Sequence, residues 1–123
     1  MASSEDTVRT YGAAWNEPDR EKRMALLAQV WSAESRYIDP RVEVTGPDAL
    51  SGYIDAVHEA MPGARLDLEG EIEEHHGHLR FRWVLVGADG ERLLPGIDFA
   101  ILAPDGKLAR IVGFYDSPGE GAS

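Results

Sequence analysis

The chain has no cysteine among its 123 residues. That excludes disulfides and thiolate metal sites. It is also short of positive charge. Twelve basic residues against 22 acidic ones give a formal net charge of −10. Nucleic acids and anionic membranes both need a cationic footprint, so neither is expected as a partner. No apolar run is long enough to span a bilayer. The opening Met1-Ala2-Ser3-Ser4-Glu5-Asp6 is acidic and lacks the apolar stretch of a secretory signal, so a cytoplasmic location is expected. A glycine-rich phosphate loop and a Gly-x-Ser-x-Gly nucleophile elbow are both missing.

What is present suits one compact domain over residues 1–123. Hydrophobic content is 43%, and a chain of this length can bury a core and a small pocket. Ser3 or Ser4 can cap a first helix that carries Glu5 and Asp6 in its first turn and Val8, Tyr11, Ala14 and Trp15 at helical spacing. Pro18 suits the first turn of a second helix striped by Met24, Leu27, Val30 and Trp31. Ser35 to Asp39 reads as extended. Gly46-Pro47-Asp48 opens a third helix with Leu50, Ile54, Val57 and Met61 on one face, ended by Pro62-Gly63. The remainder reads as strands: 64–75, 78–86, 91–102 and 108–115, parted by turn residues such as Ala88-Asp89-Gly90. The ordered core is expected to run from about 4 to 116, with a disordered tail over 117–123. Three helices followed by a meander of long antiparallel strands is an α+β pattern. Long strands curl. A curled sheet closed by helices leaves a cone with one open mouth.

One carboxylate stands out. Asp98 lies inside Gly96-Ile97-Asp98-Phe99-Ala100-Ile101-Leu102. Strand alternation puts Gly96, Asp98, Ala100 and Leu102 on one face and Ile97, Phe99 and Ile101 on the other. A buried carboxylate must be paired or stay protonated. A protonated one can donate a hydrogen bond. Asp98 therefore belongs either to a wet strand face, paired with Arg80 or Arg82, or to a site.

Several segments together resemble the nuclear transport factor 2-like superfamily, in its SnoaL-like and ketosteroid isomerase-like branch. They are Tyr11-Gly-Ala-Ala-Trp15-Asn16, Tyr37-Ile-Asp39-Pro40, Phe81-Arg-Trp83, Gly96-Ile-Asp98-Phe, Asp105-Gly106-Lys-Leu and Ile111-Val-Gly-Phe-Tyr115-Asp116. The resemblance spans residues 8 to 116. It implies a cone-shaped fold, three N-terminal helices on a curved antiparallel sheet enclosing a pocket. It also implies a cofactor-free isomerase-like enzyme, a small apolar ketone as ligand and a homodimer. Residue by residue, Asp39 matches the catalytic base, and Tyr11 and Asp98 match the donors to the carbonyl oxygen. Phe81, Trp83, Ile111 and Tyr115 match pocket-lining positions, and Trp15 joins them as a candidate substrate contact. No metal is implied.

Other readings of the same residues stay open at this point. Asp39 before Pro40 is a turn former. Tyr11 can be core packing. Related proteins on this fold are polyketide cyclases, dehydratases and epoxide hydrolases, for which His78 is a candidate acid–base group. A third reading is a non-catalytic ligand-binding or dimerisation module. His75, His76 and His78 surround Gly77 at an expected hairpin, with no second histidine-rich element to complete a metal site. Arg80 and Arg82 alternate with Phe81 and Trp83 and so face outward.

Overall fold

A computed structural model describes residues 3–115. The tail expected to be disordered, 117–123, lies outside the described residues.

The first helix, α1 (Ser4–Trp15), starts in a reciprocal capping box. The Ser3 hydroxyl accepts the Asp6 N–H, and the Asp6 carboxylate accepts the Ser3 N–H. This satisfies two of the backbone donors that a helix start leaves open. The second helix, α2 (Arg20–Val30), is capped by Asp19, whose side chain accepts the Lys22 N–H at 2.9 Å. Pro18 therefore stands just before the helix rather than in its first turn, because Asp19 supplies the better cap. The third, α3 (Pro47–Ala60), begins at Gly46 with Pro47 in its first turn.

Trp31 does not extend the α2 stripe. It opens strand β1 (Trp31–Ile38), which thus begins four residues before the expected Ser35. Its extended backbone pairs with Leu108, and its indole stacks on the Tyr11 ring at 5.9 Å. The gap in register that follows is held by Ser35. Its hydroxyl donates to the Leu108 carbonyl at 2.6 Å and accepts the Ser32 N–H at 2.8 Å. A short strand, β2 (Glu43–Thr45), was not evident from the sequence. Strands β3 (Arg65–His75), β4 (His78–Val86), β5 (Arg92–Leu102) and β6 (Leu108–Tyr115) complete the set.

The six strands form one open, curved sheet in the order β2-β1-β6-β5-β4-β3, against which the three helices pack. This is the α+β, nuclear transport factor 2-like fold. The sheet is mixed rather than antiparallel throughout, because β1 runs parallel to β6. The long excursion through α3 and β3–β5 separates these two strands in sequence and makes the parallel return possible. Strand β3 bends at Gly70, where the left-handed backbone (φ 69°) coincides with a register shift between Glu69 and Glu73.

The core lies between helices and sheet. Val8, Tyr11, Leu27, Leu50 and Ile54 from the helices meet Phe81, Leu108 and Ile111 from the strands, all fully buried. One buried charge ties the helices together. Arg23 is wholly buried in α2. It donates to the Ser51 carbonyl and hydroxyl at 3.1 and 3.0 Å, to Asp55 at 2.7 Å, and to the Glu17 carbonyl at 3.0 Å. Buried arginine is tolerated only when its donors are satisfied in this way. Among the described residues, no helix is long and apolar enough to cross a membrane.

Candidate functional site

Asp39 follows directly on β1. Its own N–H donates to the Val42 carbonyl at 3.0 Å, closing a tight turn. The carboxylate Oδ1 accepts the backbone N–H groups of Arg41 (2.8 Å) and Val42 (3.2 Å). Oδ2 accepts the hydroxyls of Tyr37 (2.8 Å) and Tyr53 (2.9 Å). Each oxygen thus takes two donors, as many as a carboxylate oxygen ordinarily accepts. The turn-forming role and the site role of Asp39 coexist. One oxygen makes the turn and the other holds two tyrosines. No lysine or arginine among the described residues forms an ion pair with it.

Asp98 projects inward from β5 and is 3% exposed. It pairs with neither Arg80 nor Arg82. Arg80 bonds Glu73 at 2.6 Å, and Arg82 is exposed on the outer face. Among the described residues, the one side-chain donor to Asp98 is the Trp83 indole, with Nε1–H pointing at Oδ1 across 3.0 Å. Burial pushes the Asp98 carboxyl up to about 7, the Trp83 bond pulls it the other way, and the negative charge of Asp39 adds to the rise.

Tyr11 on α1 is 1% exposed, and its hydroxyl has no hydrogen-bond partner among the described residues. Burial, reinforced by the Asp98 charge, raises its phenol well above the ordinary value. A buried hydroxyl without a partner is costly, and such groups are rare in a folded core.

Register explains why these groups converge. Phe81 pairs with Asp98, Asp98 with Gly113, and Ile38, just before Asp39, with Val112, just before Gly113. Asp98, Gly113 and Asp39 thus follow one another across three neighbouring strands. A Cβ on Gly113 would come within 2.7 Å of Asp98 Oδ1 and 3.7 Å of Asp39 Cβ. The missing side chain is what lets the two carboxylates flank one space.

That space is a cavity of about 80 Å³. Tyr11, Asp39 and Asp98 all line it, as do Trp15, Trp83 and Tyr115. Phe81 and Ile111 do not. They are fully buried in the core beside it. Val57, Met61, Leu66, Leu85 and Leu94 supply apolar wall, and the exposed Arg41 stands at the edge. Two tyrosines of the site were not singled out in the sequence. Tyr37 was discoverable, since it lies two residues before Asp39 and so shares its strand face. Tyr53 stands at i+3 from Leu50 and i−4 from Val57, on the buried stripe of α3.

His75, His76 and His78 sit at the exposed β3–β4 hairpin and line no part of the cavity. His75 Nδ1 and His76 Nδ1 are 3.2 Å apart. Among the described residues, no group of three His, Cys, Asp or Glu side chains is placed to hold a metal ion. His58 packs behind the cavity, its Nε2–H donating to the Trp15 carbonyl at 2.7 Å.

Comparison with known proteins places this architecture. The family model of the SnoaL-like domain matches residues 8–111, and the chain belongs to that family. A SnoaL-like family protein from Agrobacterium tumefaciens, provisionally assigned as an isomerase, shares 35% identity. The match covers 95% of this chain and all of that one, with a TM-score of 0.87. A SnoaL-like protein from Jannaschia sp. CCS1, provisionally assigned as a polyketide cyclase, has 16% identity, coverage of 89% and 85%, and a TM-score of 0.69. A protein of ketosteroid isomerase-like fold from Catenulispora acidiphila, in complex with trimethylamine, has 17% identity, coverage of 98% and 92%, and a TM-score of 0.74. No curated protein matches the sequence.

Proposed function

We propose that this protein is a cytoplasmic, cofactor-independent, isomerase-like enzyme that moves a proton next to the carbonyl of a small apolar ketone. The observation that carries this reading is the Tyr11 hydroxyl. It is buried, has no hydrogen-bond partner among the described residues, and belongs to a residue lining the same cavity as a carboxyl that burial pushes up to about 7. Two O–H donors on residues that line one small space suit an oxygen on which negative charge develops. Asp39, the acceptor-only carboxylate across the cavity, takes a proton from the carbon beside the carbonyl and returns it at the far end of the allylic system. Asp39 must release one of its four donors to do so, and the Tyr53 hydroxyl, on the half-buried side, is the candidate. A volume of about 80 Å³ suits a single ring or the reacting end of a larger ketone. Pockets that enclose drug-sized molecules run to roughly 300 Å³ and above.

The test is a titration with 4-nitrophenol, a one-ring mimic of a dienolate, read by its visible spectrum and by tryptophan fluorescence. Saturable binding that weakens at least tenfold in Tyr11→Phe and in Asp98→Asn is expected. No saturable binding, or binding by both variants as tight as by the wild type, overturns the reading. Turnover is then sought with a β,γ-unsaturated cyclic ketone, followed by the ultraviolet band of the conjugated product.

One observation favours the rival reading of a non-catalytic ligand-binding module. Asp39 is already saturated with donors. Phenol binding without turnover of any small enone, and without deuterium exchange beside the carbonyl, decides for that rival.

A homodimer is part of the proposal. Leu93, Phe99, Ile101 and Phe114 are exposed on the outer face of the sheet, with Phe99 and Phe114 rings in edge contact at 5.9 Å. An apolar patch of this kind on a soluble chain calls for a cover. A monomer by light scattering removes that part of the proposal.

A further inference from the structure

The Trp83 indole lies across β5 over Gly96. Trp83 and Gly96 face each other in the β4–β5 register. A Cβ on Gly96 would be 2.1 Å from Trp83 Cζ2 and 2.5 Å from Cε2 and Cη2. No side chain fits there while the indole keeps its place. The Gly96 backbone is not in the left-handed region, so the ring, and not the backbone, demands glycine at this position. Seated this way, the indole puts its Nε1–H 3.0 Å from Asp98 Oδ1. Oδ1 is closed in from the β6 side as well, by the 2.7 Å approach to the Gly113 position. Asp98 Oδ2 has no hydrogen-bond partner among the described residues, and the residue lines the cavity.

A neutral carboxylic acid has one carbonyl oxygen and one hydroxyl oxygen. An oxygen that accepts an indole N–H is the carbonyl oxygen. We propose that Trp83, seated on Gly96, is a positioning residue: it fixes Oδ1 as the acceptor, so that the Asp98 proton resides on Oδ2 and is donated into the cavity. This rests on the reading of Asp98 as a donor. Without the indole the carboxyl can rotate or carry its proton on either oxygen, and the donor loses its direction. The other titratable groups at the cavity are Tyr11 from α1, Tyr37 and Asp39 from β1 and its end, Arg41 just beyond, Tyr53 from α3 and Tyr115 from β6. None of them bonds Asp98.

The experiment uses the full chain with Trp83→Phe, which keeps an aromatic ring but removes the N–H, and Gly96→Ala, which keeps the N–H but displaces the ring. Circular dichroism checks that each folds. The Asp98 titration is followed by carbon NMR of the side-chain carboxyl, assigned with Asp98→Asn. The bond from Trp83 favours the charged form, so its loss raises the Asp98 midpoint, by about one unit in either variant. Affinity for 4-nitrophenol is read at pH 5, where Asp98 is neutral in every variant. A loss of about tenfold, one misdirected hydrogen bond, is expected in both. An unchanged midpoint in Trp83→Phe overturns the proposal. A raised midpoint with unchanged affinity overturns the directing role. An effect in Trp83→Phe that is absent in Gly96→Ala overturns the part of Gly96. If the wild-type protein binds no phenol, the enzyme reading fails, while the midpoints still decide whether the indole holds Asp98.

Discussion

The two carboxylates of the cavity sit on neighbouring sides of Gly113 and are treated in opposite ways. Asp39 ends a strand, where the chain turns and backbone N–H groups are available. It collects four donors, two from its own turn and two from tyrosines. Asp98 sits in mid-strand, where backbone N–H groups are used by the ladder with β4 and β6. Among the described residues it receives a single side-chain donor, from Trp83, and burial drives it toward the neutral acid. Placement in the secondary structure therefore divides the labour. A carboxyl at a strand end can collect donors from its local backbone, whereas one in the strand's middle depends on whatever side chain can reach it.

The largest effect that sharpens this contrast is pH-dependent stability. The Asp98 carboxyl rises from 3.8 to about 7 on folding. The folded state then binds more protons than the unfolded state between these values. The stabilisation from neutral Asp98 is fully present below pH 4 and is lost as pH rises through 7. The span of about three units corresponds to about 4 kcal/mol. Urea unfolding of the wild type and Asp98→Asn from pH 4 to pH 8 should show this loss in the wild type alone. Parallel curves would mean that Asp98 titrates normally and that the contrast with Asp39 is wrong.

Asp39→Ala comes next. It strips the acceptor from two tyrosine hydroxyls and two backbone N–H groups, and a loss of about 3 kcal/mol is expected in the same unfolding experiment. A loss below about 1 kcal/mol would show that water replaces the carboxylate freely.

The smallest effect is expected at Tyr11. Its hydroxyl has no hydrogen-bond partner among the described residues, so Tyr11→Phe should leave stability unchanged or raise it by up to about 1 kcal/mol, while 4-nitrophenol binding weakens. Stabilisation with full loss of binding is the signature of a group kept for function. A clear destabilisation would make Tyr11 a structural residue.

Much of the fold was legible because its signals are local. The capping box at Ser3 and Asp6, the Pro-Gly stop after α3 and the alternation in β5 act over a few residues. Where the sequence reading failed, distant partners decided. Trp31 fits the helical stripe of α2, yet it stacks on Tyr11 and pairs with Leu108, far along the chain. Strand β2 is three residues long and exists only because β1 lies beside it. The parallel β1–β6 pair has no sequence signature at all. In β5, alternation named the two faces correctly. It could not say that the more apolar one, Phe99 and Ile101, would be the outer face.

The same division holds for the site. Sequence alone determined which residue types were available: a tyrosine on α1, an aspartate before proline, an aspartate in an apolar strand. It also determined the face on which each lies, because strand and helix periods are set by backbone geometry. Only the tertiary structure decided that Asp39 and Asp98 meet across Gly113, that Tyr37 and Tyr53 serve Asp39, that Phe81 and Ile111 stay in the core, and that Trp83 rather than an arginine reaches Asp98. These outcomes depend on pairing between strands as far apart in sequence as Trp31 and Leu108 and on which donor fits a space of given shape. Hydrogen bonding and desolvation act over a few ångströms, and folding alone brings such groups that close.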